Sequence, residues 1–365
     1  LRNVLISGAG VAGGTLAWFL SRAGWAVTVV ERAPGPRTGG QAIDVRGAAL
    51  DVVDRMGLGD RMRALRTRMR GMSMVDGEGQ ELFRSEEFTY SSGRLDSEDF
   101  EVLRDDVVAI LHEATDVEYV YGDVITALTE EPHGVRVEFE HGGFRTFDLV
   151  VGADGLHSAV RRLAFGPEAE FVRHLGQYLA IFPTANFLGL EDWQVWFRHE
   201  HTGGVVYPVR GNTELRVTLG FGSEPLPRMT VPEQKRLIAE RLGGVGWEVP
   251  KLLEAMAAAD VFYFDAMAQI HLDRWSAGRV VLVGDAGYCA SALSGQGTSL
   301  ALVGAYVLAQ ELGRAEHETA FAAYERRMRP FVALNQALAT ENPTGGPSEE
   351  STERAKNAIS LEEVH

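Results

Sequence analysis

Gly8, Gly10 and Gly13 stand in the spacing G-x-G-x-x-G inside the stretch NVLISGAGVAGG, and Glu31 follows 23 residues after Gly8. Glycines at this spacing, between a strand and a helix, let the backbone come close to a pyrophosphate and offer it helix N-terminal amides with partial positive charge. A carboxylate at the end of the next strand accepts hydrogen bonds from ribose hydroxyls, and Glu31 ends the strand-like AVTVVE. Glycines that served only a tight turn would leave Glu31 without a purpose, whereas a bound dinucleotide employs all four residues.

Two further stretches carry the same kind of grammar. In RVVLVGDAGYCASALSGQG, residues 279–297, an apolar run enters Gly284-Asp285, and a loop of small residues leads to Gly295-Gln296-Gly297 at the start of an apolar helix. In DLVVGADGLHSAVR, residues 148–161, a strand enters Asp154-Gly155 and Ser158 sits where a helix begins, an arrangement that any α/β protein can use for capping.

The elements that must hold these residues follow from periodicity. NVLIS is a short continuous apolar run, as expected of a strand buried on both faces, then a helix is expected over about 13–23 and AVTVVE completes a βαβ unit. Residues 134–140 and 145–154 read as strands, 279–285 as another buried strand, and 295–312 and 317–339 as helices. Between about 166 and 271 the pattern alternates, as in WQVWFRHE, GGVVYPVR and ELRVTLGFG, which predicts an antiparallel sheet with one face packed. Within it the aromatic set Trp193, Trp196, Tyr207 and Phe221 is expected on a sheet face that could wall a substrate. The expected fold is α/β with a discontinuous nucleotide-binding part over 1–72, 98–165 and 272–341, ending in a C-terminal helix. A mostly antiparallel sheet for the substrate is inserted over 73–97 and 166–271, and 342–365 forms a polar tail.

Composition narrows the function. The 365 residues are 45% hydrophobic and 24% charged, enough for one large or two ordinary cores. A net charge of −16 and a pI near 5.1 oppose binding to nucleic acid or to an anionic membrane surface. The single cysteine, Cys289, excludes an intrachain disulfide and a cysteine-rich metal site, so a reducing compartment, the cytoplasm, is expected. The apolar residues 4–20 lack a cationic leader, and 298–312 is shorter than the roughly 20 residues of a spanning helix. The histidines show no metal spacing, and His157 and His271 read as turn or packing residues.

On three motifs, the glycine fingerprint with Glu31-Arg32, the DLVVGADGLHSAVR stretch and the RVVLVGDAGYCASALSGQG stretch, the chain resembles the class A flavoprotein monooxygenases. These have the para-hydroxybenzoate hydroxylase fold, with a Rossmann-like FAD domain of the glutathione reductase type, and the resemblance is to the branch that includes tetracycline-inactivating monooxygenases. It covers about residues 1–340. It implies that Gly8, Gly10, Gly13, Glu31 and Arg32 hold the ADP half of a non-covalent FAD, that Arg104 contacts the flavin nucleotide, and that Asp285 hydrogen-bonds the ribityl chain. It further implies that Asp44 lies near the flavin ring, that Arg37 meets NADPH, and that Asp154 and Gly155 are coupled to both nucleotides. Gly295, Gln296 and Gly297 then bring a helix N-terminus to the pyrimidine edge of the ring, where partial positive charge eases hydride acceptance.

The implied activity is hydroxylation of an aromatic or polyketide-like small molecule with NADPH and O2 through a flavin C4a-hydroperoxide, in antibiotic or secondary metabolism, by a monomer or homodimer. No acid–base residue is assigned; Arg46 and Arg198 are candidates for orienting anionic or phenolic groups and Tyr207 for a polar contact. A non-oxygenating reductase or cyclase on the same fold, or a flavin-bearing sequestering protein, shares the FAD motifs. The loop after Asp285 lacks the prolines usual in the family, reading Ala290, Ser291 and Ala292. GWEVP, residues 246–250, echoes flavin-dependent halogenases, but the lysines, Lys235, Lys251 and Lys356, all fall outside the early half where a halogenase needs one.

Overall fold

The structure, a computed structural model, describes residues 2–36, 38–342 and 346–362. Its centre is a six-stranded sheet in the spatial order Ser276–Ala277, Val280–Leu282, Leu149–Gly152, Asn3–Ser7, Ala26–Glu31 and Glu118–Tyr121. All neighbours run parallel except the first pair. Strands buried on both faces divide their side chains by parity. Val4 and Ile6 face the core shared with the helices Val11–Arg22, Gly297–Arg314 and His317–Glu341, while Leu5 faces a smaller core. That smaller core is closed by a three-stranded antiparallel layer, Ile125–Glu131, Gly134–Phe139 and Phe144–Phe147.

The sequence expectation of one strand over 145–154 resolves into two, Phe144–Phe147 in this layer and Leu149–Gly152 in the central sheet. Asp148 is the reason for the break. Its carboxylate accepts from the Asn3 amide at 2.7 Å and its own amide donates to the Asn3 side chain at 2.6 Å, which redirects the chain into the parallel sheet.

The second large sheet has seven strands in the order Tyr263–Ile270, Val172–Ala185, Glu214–Gly222, Thr202–Val209, Trp193–His199, Gly71–Val75 and Glu81–Ser85. It is antiparallel except where Trp193–His199 pairs parallel with Gly71–Val75. Its outer face is covered by the helices Val231–Leu242 and Val249–Ala258, on which Val195, Phe197, Val217 and Leu219 pack. Its inner face turns to the nucleotide-binding part with Trp196, Val205, Tyr207 and Val209, which pack on Leu103 and Ala42. Trp193 and Phe221 belong to the outer core, so the aromatic set divides between the faces and only Trp196 and Tyr207 can line the inner one. Trp247 packs on Phe197 with ring centroids 5.6 Å apart, a place in the outer core.

Residues 342–365, expected as a polar tail, include the helix Glu349–Lys356 and an extension that places Leu361 in the main core. The helix docks through Lys356, whose buried ammonium reaches Asp99 at 2.7 Å. An ion pair of this kind leaves no hydrophobic periodicity to read.

Candidate active site

The glycines of the first motif do different jobs. Gly8 has φ +106°, and a Cβ there would meet the Ala153 carbonyl oxygen at 2.4 Å; a Cβ on Gly13 would lie 1.9 Å from the Gly8 carbonyl oxygen. Both are demanded by the chain itself, because strand, helix and the Asp154 loop touch at backbone distance. A Cβ on Gly10 meets nothing within 4 Å. Gly10 is exposed and is the N-cap of the helix Val11–Arg22, which no side chain caps and whose first turn holds no acidic residue. Open space before an uncapped helix start is a cradle for an anion of pyrophosphate size. Glu31 borders it and accepts from the Ala9 amide at 3.0 Å and the Ala33 amide at 2.9 Å, which fixes both carboxylate oxygens at the strand end.

The other two motifs converge on the same edge. The Gly284 conformation, φ +65°, sets its Cα against Ala12 of the first helix, and Asp285 follows with its side chain open to solvent. Protein surrounds that carboxyl on its other sides, and the resulting desolvation raises its pKa, opposed by the Cys289 thiol and by Arg104. A Cβ on Gly297 would lie 3.9 Å from Asp285 Oδ1, so the carboxylate and the start of the helix Gly297–Arg314 are neighbours. That helix too has no side-chain cap and no acidic first turn. Gln296, fully buried, has neither amide atom hydrogen-bonded to any of the described residues.

The proline-free loop is held by its serines. Ser291 takes φ +72° and its carbonyl accepts from the Ser294 hydroxyl at 2.8 Å. Burial pushes the Cys289 thiol well above its usual range, which keeps it protonated and unreactive.

Asp154 serves as a cap: Ser158 Oγ and the amides of Ala159 and Val160 donate to its carboxylate, the amides at 2.8 and 3.2 Å. Gly155 has φ +81° with open space where a side chain would be. Arg161, fully buried, donates to the carbonyls of Leu156 at 2.6 Å and Ala286 at 2.8 Å, tying the Asp154 loop to the turn that carries Asp285. His157, expected as a turn or packing residue, instead bridges Glu168 at 2.8 Å and Asp265 at 3.0 Å. These two carboxylates raise its imidazole to about 10, so it is a charged link between this loop and the seven-stranded sheet.

Above the helix start at Gly297 sits a buried polar group that the sequence reading reached only in part. Arg46 pairs with Asp44 at 3.0 Å, donates to the Ser91 carbonyl, and is fixed to the helix through Ser299, whose hydroxyl accepts from the Arg46 amide at 3.2 Å. A Cβ on Gly295 would be 3.4 Å from the Arg46 guanidinium. Asp44 lies opposite Glu101 across the strands Ala42–Val45 and Phe100–Leu103. Burial raises the Asp44 carboxyl to about 7, with Arg46 opposing and Glu101 adding, and burial raises Glu101 as well.

Glu101 was missed because its neighbourhood depends on strand register; FEVL pairing with AIDV was the signal that could have found it. Tyr207 is buried, and its hydroxyl accepts from the Ala42 amide at 2.9 Å, so it pins the Asp44 strand to the sheet. Arg198 is exposed near the end of its strand and takes no part in this network, and Arg32 is exposed beyond Glu31. Arg104 opens the helix Arg104–Glu113, its amide donating to the Gln41 carbonyl at 3.0 Å. Arg37 lies outside the described residues. Among the described residues no cluster of His, Cys, Asp and Glu could hold a metal, and no helix is long and apolar enough to cross a membrane.

Three motifs at one edge thus bring together two uncapped helix starts, the strand-end carboxylates Glu31 and Asp285 and an open glycine cradle, and these fit a dinucleotide joined by a pyrophosphate. Comparison with known proteins agrees. Residues 2–337 match the family model for the FAD binding domain. An uncharacterized protein of Mycobacterium tuberculosis is 49% identical with full coverage of both chains. A flavin-dependent monooxygenase from an unknown prokaryotic organism is 40% identical over 92% of this chain and 88% of its own. The crystal structure of the tetracycline destructase Tet(51) superposes with a TM-score of 0.89 at 32% identity over the whole of both chains. The chain belongs to the FAD-binding-domain family and is a flavin-dependent monooxygenase.

Proposed function

We propose that the protein uses NADPH and O2 to hydroxylate a planar aromatic or polyketide-like molecule, with FAD held non-covalently along the cleft. The observation that carries this reading is the open space at Gly10 in front of an uncapped helix, matched by a second uncapped helix start beside Asp285. When bound, FAD supplies the redox chemistry, taking two electrons from the nicotinamide and passing one oxygen atom of O2 to the substrate and the other to water.

The residues do the rest. Gly10 and the first turn of its helix receive the pyrophosphate, Glu31 the ribose, and Asp285 the ribityl hydroxyls. Gly295, Gln296 and Gly297 would hold the flavin ring, and the helix start with Arg46 would supply positive potential for the negative charge that reduction brings. The buried amide of Gln296, unpartnered among the described residues, would find its partners on that ring. Burial raises the Asp285 carboxyl, and the Cys289 thiol and Arg104 oppose that rise. Asp44 and Tyr207 hold Arg46 and its strand in place beneath the inner face of the seven-stranded sheet, which excludes water and positions the substrate.

The test is to purify the protein, record the flavin spectrum, and follow NADPH consumption and peroxide with and without aromatic and polycyclic compounds. Substrate-stimulated NADPH oxidation with a product one oxygen atom heavier supports the reading. Bound flavin with no oxygenated product from any compound points instead to a reductase or a sequestering protein.

A further inference from the structure

Four aromatic rings run without a break from the outer edge of the seven-stranded sheet to its inner face. Phe83 lies 5.9 Å from Phe88, Phe88 6.0 Å from Tyr90, and Tyr90 5.6 Å from Trp196 with the last two rings edge to face at 78°. Phe83 is 41% exposed and Tyr90 49% exposed, with Phe88 and Trp196 partly buried between and behind them.

Tyr90 sits at the turn of a hairpin, Phe88–Thr89 with Gly93–Arg94, that pairs with no third strand among the described residues. A lone hairpin is marginal in water, yet this one is pinned from beneath. Thr89 is buried and its hydroxyl meets Ser92 Oγ at 2.6 Å. The Ser91 carbonyl accepts from Arg46, and the Ser91 hydroxyl accepts from Gln194 at 2.7 Å. The turn is therefore fixed to the residues that stand over Gly295, while its one large side chain is left standing in solvent against Trp196. Arg46 and Ser91 gain from this anchoring; the exposed Tyr90 ring gains nothing from it within the fold.

We propose that Tyr90 and Trp196 form an aromatic corner at the mouth of the substrate site, which receives one ring of a planar substrate, and that Phe88 and Phe83 extend it outward for further rings. The corner rests on the oxygenation reading above for what happens to the substrate, and adds to it a preference for molecules of several fused rings over single-ring phenols. Edge-to-face and offset contacts with an aromatic partner give the corner its affinity. Continuity with the buried network at Arg46 gives it a direction, inward to the cleft.

The test uses the FAD-loaded protein, with binding of 1,8-dihydroxyanthraquinone and of phenol followed by perturbation of the flavin spectrum. Tyr90→Ala is expected to weaken binding of the three-ring probe by about threefold to tenfold and that of phenol by less than about twofold. Tyr90→Phe should restore the wild-type preference, and FAD content and melting temperature should match wild type in both variants. Phe83→Ala should weaken the three-ring probe alone. Equal losses for both probes, or none, overturn the corner, as does gel filtration showing a dimer that Phe83→Ala dissolves, since a second copy would then cover the rings. Selective binding with no oxygenated product overturns the activity reading and leaves the corner standing.

Discussion

At the scale of single residues, Gly10 and Gly13 give opposite outcomes to similar substitutions. A side chain on Gly10 enters open space, so Gly10→Val should fold and unfold like the cofactor-free wild type while the purified protein is colourless. A methyl on Gly13 would collide with the Gly8 carbonyl oxygen, so Gly13→Ala should lose stability with or without flavin. Stoichiometric flavin in Gly10→Val would sink the assignment of the cradle. Asp285 permits a graded test. A carboxylate that accepts hydroxyl hydrogen bonds contributes on the order of 1.5–3 kcal/mol, so Asp285→Ala should weaken FAD binding roughly tenfold to a hundredfold, with Asp285→Asn between. Titration of cofactor-free protein by flavin fluorescence quenching orders the three; equal affinities would make Asp285 a turn residue only.

At the scale of elements, His157 joins the turn after the strand Leu149–Gly152 to the strand Tyr263–Ile270 through its two carboxylate partners. Its folded pKa, about 10, stands above the unfolded value near 6.5. The stabilisation is therefore whole below about pH 6.5, declines above it and is gone once the pH passes through the folded value near 10. The difference in urea midpoint between wild type and His157→Gln should be largest near pH 6 and vanish by about pH 10; a difference independent of pH would assign it to packing. Elements also mark the boundary of what could be read in advance. The fingerprint helix, the buried parallel strands and the alternating sheet were legible because their periods are local. Parity was not: alternation put Trp193, Trp196, Tyr207 and Phe221 on strands but could not say which pair turned inward, because that is decided by the helices Val231–Leu242 and Val249–Ala258 covering the other face. Glu101 escaped for the same reason, since strand register brings it to the site.

At the scale of the whole molecule, the segment that carries Lys356 closes on the turn at Gly47, where a Cβ would meet the Lys356 carbonyl oxygen at 2.4 Å. Asp99 accepts from both the Gly47 amide, at 3.0 Å, and Lys356. Lys356→Met leaves that carboxylate with its amide alone and should cost about 3 kcal/mol, read from urea denaturation. Adding Asp99→Asn should recover part of the loss, and strict additivity of the two substitutions would show that the pair is not coupled. The order in which the chain is made gives this ion pair a second meaning. Asp99 is synthesised 257 residues before Lys356, and the strand Val280–Leu282 with the helix start at Gly297 also comes late. Since domains fold as their parts become available, the nascent amino-terminal half must wait with its sheet edge unpaired and one end of the cofactor cleft missing. Flavin loading is thus a late event in the life of each molecule, and a ribosome stalled before residue 280 should carry a chain that cannot retain the cofactor.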